Sequence, residues 1–381
     1  MKIVFTGGGT GGHFYPLIAI VESIRDIVAE QKLVAPRLYY LAPVPFDEEA
    51  LFENELVFIS IGAGKWRRYF SLSNILDVFR TISGFFHALY VLFTIYPDVV
   101  ISKGGYASVP VVLAARIIGI PVLIHESDSK PGRANILASR FAYRIAVSFE
   151  SAVAYFPEKV RARIALTGIP IRKEVAHIDA EGAAQELGLD TSVPTVFIIG
   201  GSSGSERINE TVLGTLPDLV SFVNVIHQTG KADFKNVEGL AKVELSGNKD
   251  ASRYHAFPYL STQSIRRAAG AANVVVSRAG ATALAELGVW GKPGILIPIP
   301  ESISHDQRTN AYAYAHTGAA VVLEESNMTP HVLASEIRRI ASDPALQKSM
   351  GEKGKTFMPG DAARIIAEEI VRIALTHEVT V

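Results

Sequence analysis

Two stretches decide how this chain folds: Ile3-Val4-Phe5-Thr6-Gly7-Gly8-Gly9-Thr10-Gly11-Gly12-His13, and, about half a chain later, Val196-Phe197-Ile198-Ile199-Gly200-Gly201-Ser202-Ser203-Gly204-Ser205. Each is an apolar run that enters glycines and then a helical pattern. A run apolar on every residue reads as a strand covered on both faces. Glycines directly after it let a ligand approach the backbone N–H groups that the next helix leaves free. The rhyme between the two predicts two similar open α/β domains facing each other across a cleft, with ligands at the carboxyl ends of the strands.

Working outward, β-branched runs alternate with longer amphipathic stretches, the signature of parallel strands joined by crossover helices. In the first half the pattern predicts strands at Ile3–Phe5, Leu38–Ala42, Val57–Ile61, Val99–Ser102, Val122–His125, Ile145–Ser148 and Ile164–Thr167. The first helix is expected to open at Pro16, with Leu17, Ile20, Val21, Ile24 and Val28 as its buried stripe. The turn Thr167-Gly168-Ile169-Pro170 closes this series. Strands then resume at Val196–Ile199, Val223–His227, Val274–Ser277, Ile295–Pro298 and Ala320–Leu323. The expected class is α/β: two Rossmann-like parallel-sheet domains, 1–166 and 167–360, with a C-terminal helix over 361–381 packing back on the first.

Composition narrows the function. The 381 residues carry a net charge of −1, against a dedicated nucleic-acid binder, and hold no cysteine, which excludes disulfides, thiolate metal sites and cysteine nucleophiles. No Asp-x-Asp triplet occurs, so no metal and no cofactor are expected, and leaving-group charge falls to helix N-termini and arginine. The start shows no signal peptide pattern. The uncharged, aromatic-rich run between Arg80 and Asp98 has 17 residues, short of the roughly 20 that span a bilayer. The charge is uneven: residues 1–170 sum to +3 and residues 171–381 to −4. The aromatic segment 56–97 alone contributes +3, through Lys65, Arg67, Arg68 and Arg80 against Asp77.

Gly7-x-Gly9-x-x-Gly12 matches the dinucleotide fingerprint formally, but the next strand ends Leu41-Ala42-Pro43 with no acid to hold a ribose, and His13 is foreign to that motif. A bare strand-to-helix turn would not need five glycines within residues 7–12. The second loop, with amides and hydroxyls at a helix start, suits a diphosphate or is simply a capped turn.

These residues resemble one family over nearly the whole chain. Phe5-Thr6-Gly7-Gly8-Gly9-Thr10-Gly11-Gly12-His13-x-x-Pro16 is similar to the first glycine loop of the MurG family, the peptidoglycan N-acetylglucosaminyltransferases within glycosyltransferase family 28. Gly64-Lys65-Trp66-Arg67-Arg68-Tyr69-Phe70, Ser102-Lys103-Gly104-Gly105-Tyr106, His125-Glu126-Ser127-Asp128-x-x-Pro131-Gly132-x-Ala134-Asn135 and Gly168-Ile169-Pro170-Ile171-Arg172 continue it. Gly200-Gly201-Ser202, His227-Gln228-Thr229-Gly230-Lys231, Ser277-Arg278-Ala279-Gly280-Ala281, Glu286 and Asp306-Gln307-x-x-Asn310-Ala311 complete it. The resemblance implies a GT-B fold and transfer of GlcNAc, with inversion, from UDP-GlcNAc to the 4-hydroxyl of the muramyl sugar of lipid I, giving lipid II in peptidoglycan synthesis.

It implies a substrate-binding set as well. Thr10, Gly11, Gly12, Tyr106 and Asn135 belong to the acceptor-facing domain. Ser202 and Ser203 fall on the diphosphate loop, Arg172 near the nucleotide, Ala281 and Thr282 in the glycine-bounded turn, Glu286 on the ribose hydroxyls and Gln307 on the donor sugar, with Asn310 in the same motif. Three departures stand out. Ser127-Asp128 occupy positions where the family often has Gln-Asn. Pro258, which has no N–H to donate to uracil, follows Phe257 and shifts that expected contact to Tyr259. Pro43 and Pro45 stand in a turn that usually contains glycine.

His13 is the expected general base, since imidazole titrates near working pH, with Asp128 and Glu126 as competitors and an orienting role for His13 as the alternative. The segment with Lys65, Trp66, Arg67, Arg68, Phe79 and Phe86 is expected to meet an anionic membrane, its alternative being a core helix with an oligomer face. The expected partners are UDP-GlcNAc, lipid I and the cytoplasmic face of the plasma membrane, with no nucleic acid. Two other functions remain open: a UDP-sugar transferase acting on another lipid acceptor such as diacylglycerol, and a non-catalytic nucleotide-sugar-binding module at the membrane.

Overall fold

The structure, a computed structural model, describes residues 1–8, 10–64, 72–201, 204–303, 306–357 and 361–380. The chain divides into two compact units, Met1–Arg172 with Pro359–Val381, and Lys173–Met358.

In the first unit the described residues form seven parallel strands: β1 (Lys2–Thr6), β2 (Arg37–Ala42), β3 (Leu56–Ser60), β4 (Val99–Ser102), β5 (Val122–Glu126), β6 (Arg144–Val147) and β7 (Ile164–Leu166). Their order is β3-β2-β1-β4-β5-β6-β7. Phe5 of β1 lies opposite Tyr40 of β2 on one side and opposite Ile101 of β4 on the other. Alternation along β1 sends Ile3 and Phe5 into one core, with Phe14, Ile20 and Ile24 of the helix Gly11–Glu30. Val4 enters the opposite core, with Val111 and Ala115 of the helix Val109–Ile118. Both faces are covered, as all-apolar strands require.

The first helix begins at Gly11 rather than at Pro16, after an extended Thr10 (φ −151°, ψ 158°). Pro16 sits within the helix because its missing N–H deprives only the Gly12 carbonyl of a partner. The C-terminal helix, Ala362–Thr380, buries Ile366, Ala367, Ile370 and Ala374 in the same core as the first helix. At its start Arg364 bonds both carboxylate oxygens of Glu30, at 2.9 and 2.7 Å.

The units part after Arg172, not after Leu166 as the sequence suggested. Thr167–Pro170 belongs to the first unit because its backbone extends that sheet: Thr167 N donates to Val147 O (2.9 Å), and Gly168 O accepts from Ser148 Oγ (3.1 Å) beside His125 Nε2 (2.9 Å). Beyond the boundary, Val175 O accepts from Trp290 Nε1 (2.8 Å) within the second unit.

The helix Leu72–Ile95 has two unlike faces. Ala88 and Leu92 are fully buried in the sheet-side core, whereas Leu76, Phe79, Phe86, Tyr90 and Phe93 are each more than 60% exposed. Leu76–Ile95 is long and apolar enough to cross a membrane by length and composition, with only 22% of its most apolar window buried.

The second unit repeats the plan. Its described strands are β8 (Thr195–Ile199), β9 (Asn224–Gln228), β10 (Tyr254–Phe257), β11 (Val274–Ser277), β12 (Gly294–Leu296) and β13 (Ala320–Val322), all parallel, in the order β10-β9-β8-β11-β12-β13. β10 escaped the sequence pattern because Tyr254 and His255 break its apolar run, and it is half-buried along its length. In both sheets the chain leaves the first strand one way, returns past it and continues the other way. That reversal lies between β1 and β4 and between β8 and β11, and it opens a crevice at the carboxyl ends of those strands.

Removing the Ile370 side chain leaves a cavity under the first helix. Ile370→Ala is expected to lower stability by about 2–5 kcal/mol, read from urea unfolding.

Candidate active site

In the first unit the loops after β1, β4 and β5 converge on the reversal point. Tyr40 Oη donates to Gly7 O (2.6 Å) and Lys103 N donates to Thr6 O (2.9 Å), so the loops after β1 and β4 are pinned to the sheet. Gly104 has φ +80°, and a Cβ there would press within 2.8 Å of the Asn135 amide. Glycine is therefore required for the β4 loop to lie over Asn135. His13, on the first turn of its helix, shares a hydrogen bond between Nδ1 and Thr10 Oγ1 (2.8 Å), while its Nε2 lies on the Gly105 side, 3.7 Å from where a Cβ of Gly105 would stand.

Glu126 ends β5 and is 4% exposed. Its Oε1 accepts from Asp128 N (2.9 Å), and its Oε2 accepts from Gly132 N (2.9 Å) and Asn135 Nδ2 (2.9 Å). Asn135 also donates to His125 O (3.2 Å), which leaves its Oδ1 buried without a hydrogen-bond partner. His125 is buried against Gly168 O, and its Nδ1 has no partner. Asp128 is half-buried at the tip of the loop, and Tyr106, also half-buried, opens the short turn after Gly105.

Charge is concentrated here. Lys103 is 2% exposed and its ammonium donates to Ser127 Oγ. Burial pulls its pKa down to about 8, against the opposing pull of Glu126 and Asp128. Burial, helped by the Lys103 charge, lowers His13 to about 4 and holds His125 well below the ordinary imidazole value. Burial and the neighbouring Asp128 raise the pKa of Glu126.

In the second unit the loops after β8, β11 and β12 meet at the corresponding point. Ser205 caps the helix Glu206–Val220, its Oγ accepting from Ile208 N (3.4 Å) and from Arg278 Nη2 (2.6 Å). Arg278 also donates to Ile297 O (3.1 Å) and pairs with Glu325 (2.6 Å), tying three loops together. Gln228 donates to Gly201 O (3.1 Å) and accepts from Leu260 N (3.0 Å). Gly204, at φ +80°, lies so close to Thr229 that any side chain would overlap the Thr229 carbonyl.

Gly280 precedes the helix Ala281–Trp290 with no side-chain cap, which leaves its first amides to a ligand or solvent. Thr282 and Glu286 sit one turn apart on that helix, both half-buried. The Nε2 of Gln307 lies 3.9 Å from the Cβ position of Gly280, and its Oε1 accepts from Ile299 N (3.2 Å). Tyr259 is 46% exposed, with Lys231 Nζ 5.3 Å from its ring centre.

The structure thus gathers Thr10, Gly11, Gly12, His13, Tyr106, Glu126, Asp128 and Asn135 around one reversal point, and Ala281, Thr282, Glu286 and Gln307 around the other. Two further expected substrate residues have surroundings of their own. Arg172 belongs to the first unit, its guanidinium 4.3 Å over the Tyr15 ring, because the boundary falls after it. Asn310 is fully buried one turn inside Gln307, on the inward face of its helix. Lys65, Trp66, Arg67, Arg68, Ser202 and Ser203 lie outside the described residues. Lys103, Gln228 and Arg278 stand within the motifs, yet sequence reasoning missed their roles. Their position at a strand end, next to a glycine turn or a loop, was the available signal.

Two parallel-sheet units, each with a reversal point flanked by a glycine turn and a helix start, define the GT-B architecture. Residues 3–147 match the glycosyltransferase family 28 N-terminal domain, and residues 195–365 the glycosyltransferase family 28 C-terminal domain. The chain is 37% identical over 344 residues to the UDP-N-acetylglucosamine–N-acetylmuramyl-(pentapeptide) pyrophosphoryl-undecaprenol N-acetylglucosamine transferase of Lachnospira eligens, covering 90% of this chain and 91% of that one. It is 36% identical over 371 residues to the protein of the same name from Treponema pallidum, covering 97% and 94%. Among solved structures, Acinetobacter baumannii MurG superposes with a TM-score of 0.73 at 24% identity, covering 97% of this chain and 99% of that one. The MnaA–UDP structure from S. aureus gives 0.70 at 14% identity, covering 97% and 96%, a likeness of fold. The chain belongs to the MurG family of N-acetylglucosaminyltransferases.

With its pKa near 4, His13 is neutral at pH 7. Its NMR titration is expected near pH 4 rather than 6.5. Because the unfolded chain binds protons at His13 and His125 that the native state refuses, stability should decline as pH falls from about 6.5 toward 4.

Proposed function

We infer that this protein transfers N-acetylglucosamine from UDP-GlcNAc to the 4-hydroxyl of the muramyl sugar of undecaprenyl-pyrophosphoryl-MurNAc-pentapeptide, the second unit holding the donor and the first the acceptor. The observation that carries this reading is that the two family 28 matches span both reversal points, 3–147 around the first and 195–365 around the second.

Inversion takes place in one displacement. The acceptor oxygen bonds to the anomeric carbon as the bond from that carbon to the β-phosphate oxygen breaks; UDP takes the electron pair, and the hydroxyl proton passes to a base. His13 is assigned as that base on position, because burial moves its titration to about 4, away from the working pH that first recommended an imidazole. It is neutral at pH 7, and with Nδ1 held by Thr10 its Nε2 is the nitrogen left to accept a proton. Glu126 has both oxygens committed and serves to orient the loop, while His125 is enclosed against Gly168. Asp128 remains the competitor. The unpartnered Asn135 Oδ1 offers an acceptor to a sugar hydroxyl or amide.

On the donor side, the amides at the start of the helix Ala281–Trp290 meet diphosphate charge without a metal, helped by the hydroxyl loop at 202–203. Glu286 accepts from the vicinal ribose diol, and Gln307 both donates to and accepts from the sugar. Tyr259 takes the uracil side.

We further propose that the protein works as a peripheral enzyme at the cytoplasmic face of the membrane that carries its acceptor. The exposed stripe of Phe79, Phe86, Tyr90 and Phe93 supports this, since the opposite face of the same helix is already packed on the sheet. Arg80, and the cations at 65, 67 and 68, would each add about 1 kcal/mol at an anionic surface.

Labelled GlcNAc is expected to move from UDP-GlcNAc into lipid-extractable product only when lipid I is present. His13→Ala should cut kcat by about 10²–10⁴-fold with UDP affinity unchanged, and near-normal turnover in that variant would remove His13 from the chemistry. Paired Phe79→Ser and Phe86→Ser substitutions should weaken flotation with phosphatidylglycerol vesicles while leaving UDP binding intact. Unchanged flotation would remove the stripe from membrane contact.

A further inference from the structure

Tyr314 takes no part in the binding and transfer steps above, yet it stands between the helices that serve the donor. It is fully buried near the end of the helix Gln307–Ala315, about two turns after Gln307 on the same face. Gly288 lies likewise about two turns after Ala281, on the helix that carries Thr282 and Glu286. These two helices meet at their starts, where Gln307 Nε2 lies 3.9 Å from the Cβ position of Gly280. They meet again at their far ends, where Tyr314 Oη lies 3.8 Å from the Cβ position of Gly288.

A third helix, Pro344–Phe357, closes the junction. A Cβ on Gly354 would stand 2.7 Å from Tyr314 Oη, and one on Gly288 would stand 3.0 Å from the Gly354 carbonyl oxygen. Gly351 makes the same close approach to the Gly291 carbonyl, so the third helix lies backbone to backbone on its neighbour. Phe357 holds the tyrosine ring edge-on, with ring centres 4.9 Å apart and planes at 85°.

The tyrosine hydroxyl thus fills the space between two glycine backbones, and it does so without a hydrogen-bond partner. A buried hydroxyl left unpaired costs stability, so a phenylalanine would suit the fold better. What the hydroxyl adds is length, one further atom that holds Gly288 and Gly354 apart. A close-packed interior passes such a displacement on rather than absorbing it.

We propose that Tyr314 is a positioning residue of the donor site. Its hydroxyl is a spacer that sets how the helix Ala281–Trp290 lies against the helix Gln307–Ala315, and so how Glu286 and the first amides of one face Gln307 of the other. This rests on the reading above that the second unit holds UDP-GlcNAc. Tyr314, enclosed among helices, acts through them.

The test uses the full chain with Tyr314→Phe, Gly354→Ala and the pair, measuring Tm, the Kd for UDP by calorimetry, and kcat and KM with lipid I. Tyr314→Phe should melt at or above the wild-type temperature, because an unpaired buried hydroxyl is gone. Its Kd for UDP and KM for UDP-GlcNAc should nevertheless rise at least about threefold, with kcat within about twofold. In Gly354→Ala the new methyl meets the hydroxyl, which should lower Tm and raise KM for UDP-GlcNAc. Adding Tyr314→Phe should recover both, since the methyl then takes the place the hydroxyl left. A Tyr314→Phe protein with wild-type KM and Kd, or a pair no better than Gly354→Ala alone, would overturn the proposal. Should Gly354→Ala fail to fold, the split between Tm and KM in Tyr314→Phe decides by itself. A Glu286→Gln control separates the two readings. An unchanged donor KM there contradicts the placement of the donor, and the proposal with it; a raised KM there, beside a wild-type KM in Tyr314→Phe, contradicts the spacer alone.

Discussion

Everything functional in this molecule depends on one constraint of parallel sheets: the point where strand order reverses. Right-handed crossovers put the helix after β1 and the helix after β4 on opposite faces of the sheet, so the two loops diverge and leave a crevice. The helix Gly11–Glu30 packs on the Phe5 face and the helix Val109–Ile118 on the Val4 face, as that rule requires. The second sheet obeys it again between β8 and β11. Glycine turns and uncapped helix starts then provide backbone amides at both points.

The two sites nevertheless differ in character. The first is a dry, charged network: Lys103, Glu126, His125 and Asn135 are each under 5% exposed, and burial is the largest influence on the ionisation of the first three. Glu126 alone accepts from three donors, whereas Asn135 Oδ1 and His125 Nδ1 stay buried without partners. The second is a backbone site held by Arg278 and Gln228, whose hydrogen bonds clamp loops from different strands together. A charged network suits proton transfer, and a scaffold of amides suits a diphosphate.

Much of this is legible in the residues. Among the described residues, twelve of the thirteen strands read directly, because each carries a mostly apolar run, and those at the middle of the sheets, such as Val99–Ser102 and Val274–Ser277, are buried on every residue. β10 does not, since Tyr254 and His255 interrupt its apolar run and all four of its residues are only half-buried. The domain boundary reads short because the hydrogen bonds of Thr167 and Gly168 to β6 and its following residue are long-range. The same bonds keep Arg172 in the first unit, where its guanidinium lies over the Tyr15 ring. Lys103 is hidden by its own chemistry, for a lysine beside two glycines reads as a solvated loop residue until its burial is known. Asn310 belongs to a readable motif, but its orientation depends on helix phase, which a motif does not carry.

The central claim is a division of labour, with nucleotide sugar at the second reversal point and acceptor at the first. Amide hydrogen exchange on the intact protein tests it most directly. UDP-GlcNAc should protect peptides covering 200–206, 279–286 and 299–307, and leave 6–13, 102–107 and 126–135 at their unliganded rates. Protection by UDP-GlcNAc centred on the first-unit loops, with the second-unit loops unchanged, would contradict it.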